Sequence, residues 1–190
     1  MVRLFTALKI PAEICDELHK MQYGIEGANW MPPENFHITL SFIGNVEDEW
    51  LSKVKTVLKC VECPTFELSL KGCGIFEQKA VKSHLWAGIS RNKILQELKK
   101  QIDLSFDEID LPYVKRDYVP HLTLAQIRHA CPFDIKHYLA RYLDVYSKKF
   151  LIENFTLFQS HMSQKGSIFE EIKSFSLKGA SQNRIDTVHS

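Results

Sequence analysis

Two short segments, PENFHITLSFIG and YVPHLTLAQIR, carry the feature that most restricts how this chain can fold. In each segment apolar residues alternate with polar ones, which is the pattern of a half-buried β-strand. The polar positions hold His37 with Thr39 in the first segment, and His121 with Thr123 in the second. Residues i and i+2 of a strand point to the same side, about 6.5 to 7 Å apart. Each strand therefore predicts a ledge that carries one imidazole and one hydroxyl.

The two segments lie 84 residues apart, and the predicted elements that follow them recur at the same offset. Adding 84 carries a predicted helix near 48–60 to 132–144, and the strand that holds His84 to one near 168. With 8 histidines in 190 residues, fewer than one His-x-Thr spacing is expected by chance. We infer a duplicated α+β unit whose two copies are related by a pseudo-two-fold axis. Such an axis can bring the two ledges to face each other across a cleft.

The composition and the two ends of the chain exclude several classes of protein. A formal charge of +1 at pH 7 argues against an extended nucleic-acid footprint, although a small pocket can still bind one phosphate. The sequence contains no run of about 18 apolar residues, so no membrane span is predicted. The N-terminal segment lacks the layout of a signal peptide. We expect a cytoplasmic monomer in which 1–177 form a single two-lobed domain and 178–190 a flexible tail.

The cysteines do not predict a disulfide framework or a metal site. There are five of them, an odd number in a chain without an export signal, so reduced thiols are expected. Cys60 and Cys63 form a C-x-x-C pair, but a structural zinc site needs a second tight pair, which the sequence lacks. We predict no metal ligands.

Two facing ledges would place two imidazoles and two hydroxyls around one point, a set that suits a phosphate group. The hydroxyls can hold the non-bridging oxygens. One ring can accept a proton from an attacking water, while the other donates a proton to the departing oxygen. Because an unperturbed imidazole has a pKa of about 6.5, one neutral and one protonated ring can coexist near neutral pH. This chemistry requires no cofactor.

The runs NWMPPENFHITLSFIG and YVPHLTLAQIR resemble the two HxTx motifs of the two-histidine phosphoesterase superfamily, and most closely those of the bacterial RNA 2',3'-cyclic phosphodiesterase (2'-5' RNA ligase) family. The resemblance covers about residues 2–177. It implies a bilobal α+β fold with a catalytic cleft between two antiparallel sheets. It also implies metal-independent hydrolysis of RNA 2',3'-cyclic phosphate ends to 2'-phosphomonoesters. On that pattern His37 is the proton donor, His121 is the proton acceptor, and Thr39 and Thr123 bind the phosphate.

The chain departs from the family at one position. The family usually carries arginine after the second motif, where this chain has Gln126, and Arg128 lies about 6.5 to 7 Å further along an extended strand. Gln126 and Trp30, a loop residue able to stack on a base, are the other candidate substrate contacts. The alternatives are the same chemistry on 2'-5'-linked oligonucleotides or nucleotide cyclic phosphates, reversible RNA ligation, or a non-catalytic module that binds RNA ends.

Several other residues are predicted to be structural. The histidines at 84, 129 and 137 lack a threonine at i+2, which favours surface or packing roles. Strict alternation puts Phe42 on the buried face of its strand and Ser41 on the polar face. The stretch LKKQ, which contains Lys99, is interpreted as the solvated face of a helix end.

Overall fold

The computed structural model describes residues 1–77, 83–128, 131–163 and 166–178 of the chain, and four α-helices and ten β-strands lie within these ranges. The helices are α1 (Ala12–His19), α2 (Glu49–Leu58), α3 (Lys93–Asp107) and α4 (Pro132–Arg141). The strands are β1 (Val2–Lys9), β2 (Ala28–Trp30), β3 (His37–Val46), β4 (Phe66–Leu68), β5 (Leu70–Glu77), β6 (Ser83–Ile89), β7 (His121–Ile127), β8 (Phe150–Ile152), β9 (Asn154–Ser163) and β10 (Gly166–Ser176). The predicted tail, apart from Lys178, and His129 lie outside the described residues.

The strands form one large antiparallel sheet and one small one. The large sheet has the order β10-β9-β1-β3-β7-β6-β5, with β2 also paired to β7, and the small sheet joins β4 to β8. The two halves of the large sheet meet at β3 and β7, which share the single paired position Ile38–Leu122. The predicted α+β fold with antiparallel sheets is confirmed, and this one pair connects the halves into a continuous sheet. No helix within the described ranges is long and apolar enough to cross a membrane.

The offset of 84 residues recurs in the elements after each histidine strand. The series β3-α2-β4-β5 is repeated as β7-α4-β8-β9, and β4 and β8 are separated by that same number of residues. The offset also carries the His84 strand, β6, onto the strand near 168, β10, as predicted, but the two strands hold different positions in the large sheet. There β6 corresponds to β1, because each pairs directly with a histidine strand, whereas β10 is an edge strand beyond β9.

Apolar faces of the helices and of the large sheet enclose the main core. Helix α3 is capped by Asn92, whose side chain accepts a hydrogen bond from the Leu95 amide at 2.9 Å, which is the usual way to satisfy a free amide in the first turn. Its inward stripe is fully buried and consists of Leu95, Leu98, Ile102 and Phe106. The spacing of i, i+3, i+7 and i+11 keeps these side chains on one helix face.

A β-bulge interrupts the alternation in each histidine strand, at the same place. Two successive residues of β1 pair with Thr39 and Ser41 of β3, so the residue between them is skipped. In the same way, two successive residues of β6 pair with Thr123 and Ala125 of β7. A bulge adds one residue and so exchanges the two faces beyond it. Ser41 is therefore buried and Phe42 half-buried on the cleft side, which makes the sequence prediction for both residues wrong.

Candidate active site

The two predicted ledges lie side by side where the halves of the sheet meet. Ile38 and Leu122, the paired residues, are both 0% exposed and point into the core. Their neighbours on each strand therefore point to the opposite side. In an antiparallel register this sets His37 beside Thr123, and Thr39 beside His121. All four predicted residues thus lie at one junction.

Each imidazole is oriented by the backbone just before its strand. The Nδ1 atom of His37 lies 2.7 Å from the carbonyl oxygen of Asn35, and the Nδ1 atom of His121 lies 2.7 Å from that of Val119. A carbonyl oxygen only accepts, so in each ring Nδ1 carries the hydrogen and donates it. The Nε2 atom of each ring remains for exchange of a proton with a substrate.

Aromatic side chains pack around both imidazoles. The ring centroid of His37 lies 5.1 Å from that of Phe5 and 5.0 Å from that of Phe169, which meets it edge to face. The ring centroid of His121 lies 4.8 Å from that of Phe76, also edge to face, and 6.3 Å from that of Trp86. These contacts restrict rotation of the rings and remove water from them.

The same packing shifts the acid–base properties of both histidines. Burial lowers the pKa of His37 below its usual value; the bond to the Asn35 carbonyl opposes this shift, and the nearby His121 lowers the pKa further. Burial also lowers the pKa of His121, against the bond to Val119, and the positive charges of Arg116 and His84 add to the lowering. In the free protein both rings therefore favour the neutral form more than an exposed imidazole does.

A cleft of about 360 Å³ opens beside the second histidine strand. Thr39, His121 and Thr123 line it together with aromatic, basic and acidic side chains. His37 lines a second cavity of about 510 Å³, whose walls include Phe5, Phe158 and Phe169. Charged side chains line both cavities: Lys9 and Glu171 lie in the cavity of His37, and Lys99, Arg116 and Asp117 lie in the cleft of His121.

Three residues that line the first cleft were not predicted as site residues from the sequence. His84, predicted to be a surface or packing residue, lines the cleft. Lys99, predicted to be solvated, also lines it, with a side chain 13% exposed and ion-paired to Asp103. Arg116 lies on the irregular connection 112–120, where no periodic pattern drew attention to it. Its position five residues before His121 was the only available signal.

The two other candidate contacts lie elsewhere on the sheet. Trp30 belongs to β2 and packs against Tyr138 with ring centroids 6.0 Å apart; it does not line the cleft, which argues against base stacking by this residue. Gln126 is half-buried on β7, directly opposite His84 of β6. Opposed residues of an antiparallel pair share a side, so Gln126 lies on the cleft side of the sheet beyond the second ledge.

No group of three or more histidine, cysteine or acidic side chains suited to a metal occurs among the residues that the structure describes. Cys60 is exposed and Cys63 is buried, so the two thiols of the C-x-x-C pair lie in different environments.

Curated relatives match nearly the whole chain. An RNA 2',3'-cyclic phosphodiesterase of Methanocaldococcus jannaschii is 29% identical over 90% of this chain and 99% of that protein. A protein of the same name from Archaeoglobus fulgidus is 26% identical over 92% of this chain and 99% of its own length.

Solved structures share the fold. The protein TT0787 of Thermus thermophilus superposes with a TM-score of 0.77 at 23% identity and covers 94% of this chain and 99% of that one. Apo LigT of E. coli gives the same TM-score at 20% identity, over 93% of this chain and 98% of that one.

The family model described as LigT like Phosphoesterase matches the chain twice, over residues 8–86 and 88–169. Each match contains one His-x-Thr strand, in agreement with the duplication that the sheet displays. The chain belongs to the LigT-like phosphoesterase family.

Proposed function

We propose that this protein is a phosphodiesterase that hydrolyses RNA 2',3'-cyclic phosphate ends to 2'-phosphomonoesters without a metal ion. The observation that supports this most directly is the pairing of Ile38 with Leu122, whose neighbours along the two strands are both histidines and both threonines. The names of the relatives that match over nine-tenths of the chain support the same activity.

His121 is the general base of the proposed reaction. Its Nδ1–H is held by the Val119 carbonyl, so the lone pair on Nε2 accepts the proton of the attacking water. The positive charges of Arg116 and His84 disfavour a protonated ring at this position and lower its pKa. The free protein therefore holds this residue in the form that a base requires.

His37 is the general acid. Its protonated Nε2 donates to the 3' oxygen as the bond between that oxygen and phosphorus breaks, while the 2' oxygen stays on phosphorus. Burial lowers the pKa of His37 in the free protein. A bound phosphate anion stabilises the imidazolium and raises the pKa again. Substrate binding thus supplies the charge that the acid needs.

The two threonines hold the phosphate between the rings. Thr39 and Thr123 each lie beside the histidine of the other strand, so their hydroxyls donate to the non-bridging oxygens from both sides. In-line displacement needs the attacking and departing oxygens on opposite sides of phosphorus, and the two histidine strands provide those sides.

The test is identification of the product. The pure protein is incubated with an RNA that ends in a 2',3'-cyclic phosphate, in excess EDTA, and the phosphate of the product is located by digestion and chromatography. A 2'-phosphomonoester formed at an EDTA-independent rate is expected. A 3'-phosphomonoester, or a rate abolished by EDTA and restored by a metal ion, would contradict the proposal. Stable binding without product would favour the non-catalytic module.

Gln126 supports a second candidate, the same chemistry on 2'-5'-linked oligonucleotides or nucleotide cyclic phosphates. A neutral amide on the cleft side of β7 gives a different charge distribution from an arginine there. Comparison of kcat/KM over a panel of these substrates, including the reverse ligation, separates the candidates.

We also propose that residues 1–177 act as one two-lobed domain in a cytoplasmic monomer. The support is that a single chain provides both histidine strands and both threonines. Light scattering at the concentrations used for the assay checks the monomer.

A further inference from the structure

The four histidine and threonine side chains of the junction carry no fixed positive charge, although the proposed substrate is an anion. Lys9, opposite His37 on β1, is ion-paired with Glu171 at 2.8 Å. Both threonine hydroxyls are neutral, and burial lowers the pKa of His37 and of His121. Gln126, on the cleft side of β7, is neutral as well. A phosphate brought to this junction loses water and gains no permanent cation from these residues, which is unfavourable unless a charged group lies nearby.

Two permanently cationic side chains line the same cleft, and they differ in availability. Lys99 is largely buried and is ion-paired with Asp103, which also accepts a hydrogen bond from the Ser41 hydroxyl at 2.6 Å. Arg116 is exposed in the cleft and forms no salt bridge within the described part of the chain. Its neighbour Lys115 is paired instead with Asp107, at 2.7 Å.

The connection that carries Arg116 is attached to both histidine strands. The amide of Val114 donates to the carbonyl of Phe42 on β3 at 3.0 Å. At the other end, His121 donates to the carbonyl of Val119. Arg116 lies between these two attachments, so its backbone is held at the rim of the cleft. Its charge reaches the His121 ring and lowers the pKa of that ring.

We propose that Arg116 binds the phosphate oxygens of the substrate and supplies the positive charge that Gln126 does not provide. The inference rests on the proposed function, because it assigns a ligand to the same site. A guanidinium matches phosphate oxygens with two parallel hydrogen bonds. It also stabilises the charge on the equatorial oxygens as the transition state forms.

Binding of a product-like ligand tests this assignment without turnover. The Kd of adenosine 2'-monophosphate and of adenosine is measured by calorimetry for the wild type, Arg116→Ala and Lys115→Ala. Arg116→Ala is expected to weaken binding of the monophosphate by roughly 10- to 100-fold, since it removes a charge-assisted contact, and to leave adenosine unchanged. Lys115→Ala, the neighbouring cation outside the cleft, should stay within about twofold of the wild type. Equal monophosphate affinities of the two variants would overturn the proposal.

A second readout tests whether the guanidinium lies close enough to His121 to act in the same site. The charged or titratable groups that line the cleft with His121 are Arg116 and Asp117 from the connection, His84 from β6 and Lys99 from α3, and His37 interacts with His121 from β3. Removing the guanidinium raises the pKa of His121, so the acid limb of the kcat/KM profile is expected to move to higher pH in Arg116→Ala. An unmoved limb would count against the assignment.

The two proposals fail in distinguishable ways. If the wild type binds the monophosphate through Arg116 but does not hydrolyse cyclic phosphates, the anion site stands and the proposed function is wrong. If the wild type hydrolyses them and Arg116→Ala behaves like Lys115→Ala, the proposed function stands and the role of Arg116 is wrong.

Discussion

Ile38 and Leu122 form the single backbone-paired position between the two histidine strands, and both are completely buried. The residues on either side of this pair are His37, Thr39, His121 and Thr123. One buried aliphatic contact therefore sets the spacing of all four polar side chains on the opposite face. Core packing and site geometry depend on the same two residues.

Truncation of this pair should reduce stability and activity together. Leu122→Ala is expected to lower the free energy of unfolding by about 2–5 kcal/mol, because it leaves a cavity in a tightly packed region. Urea denaturation measures the change. Leu151→Ala is the control, since Leu151 is 52% exposed and surface truncations usually change stability by less than about 0.5 kcal/mol. Similar losses in the two variants would show that the pair does not hold the junction.

Removal of either threonine hydroxyl should weaken phosphate binding. A hydrogen bond to a charged group contributes about 1.5–3 kcal/mol, so Thr39→Val or Thr123→Val is expected to lower kcat/KM by roughly 10- to 150-fold. Serine at either position should retain most of the activity. Thr56→Val serves as the control because Thr56 is exposed on α2 and bonds only the Ser52 carbonyl. Full activity of the valine variants would remove the threonines from the site.

The pH dependence of kcat/KM should reflect two lowered pKa values. Activity falls at low pH as His121, the base, becomes protonated, and at high pH as His37, the acid, loses its proton. Because burial lowers both pKa values, both limbs should lie below the value of about 6.5 of an exposed imidazole. The optimum of kcat/KM is therefore expected on the acidic side of pH 6.5. The phosphodiester stays ionised throughout this range, so an optimum well above pH 7 would contradict the assignment.

Gly74 of β5 leaves room for the indole of Trp86 on the paired strand β6, and this indole packs against His121. A Cβ added at Gly74 would lie 2.1 Å from Cζ2 of Trp86, and the indole packs against Phe76 and His121. Gly74→Ala is expected to cost about 1–3 kcal/mol of stability through overpacking, and to lower kcat/KM because the ring that holds His121 must move. Combination with Trp86→Phe, a smaller ring, should recover part of both losses. A Gly74→Ala protein with wild-type stability and kcat/KM would exclude this support.

The sequence was sufficient for the family, the α+β fold and the two histidine strands, because a two-residue alternation and a constant offset are local patterns. The face of the strand that the side chains after Thr39 and Thr123 occupy was not predictable in this way. The bulges after Thr39 and Thr123 exchange the strand faces, so Phe42 points to the cleft and Ser41 is buried. A bulge depends on pairing with the neighbouring strand, which no single segment encodes.

Cleft residues from other elements were the second class of miss. Lys99 belongs to a helix, and Arg116 to a connection without a periodic pattern; both reach the cleft only through tertiary packing. Trp30 shows the converse, since its position just before the first motif suggested a substrate contact, yet its ring packs on Tyr138 of α4. Proximity in sequence did not identify the cleft residues that come from other elements, whereas strand periodicity identified those on the two histidine strands.

The central claim is that the two imidazoles act on one phosphate, and single-turnover cleavage of a cyclic-phosphate RNA by His37→Ala, His121→Ala and the double variant tests it most directly. His137→Ala, a change in a helix-α4 residue that stacks on exposed Phe133, is the control. Each single variant should lose about 10²–10⁴-fold in rate, the double variant should lose far less than the product of the two, and the control should keep full activity. Wild-type rates in either single variant, with the fold intact by circular dichroism, would contradict the claim.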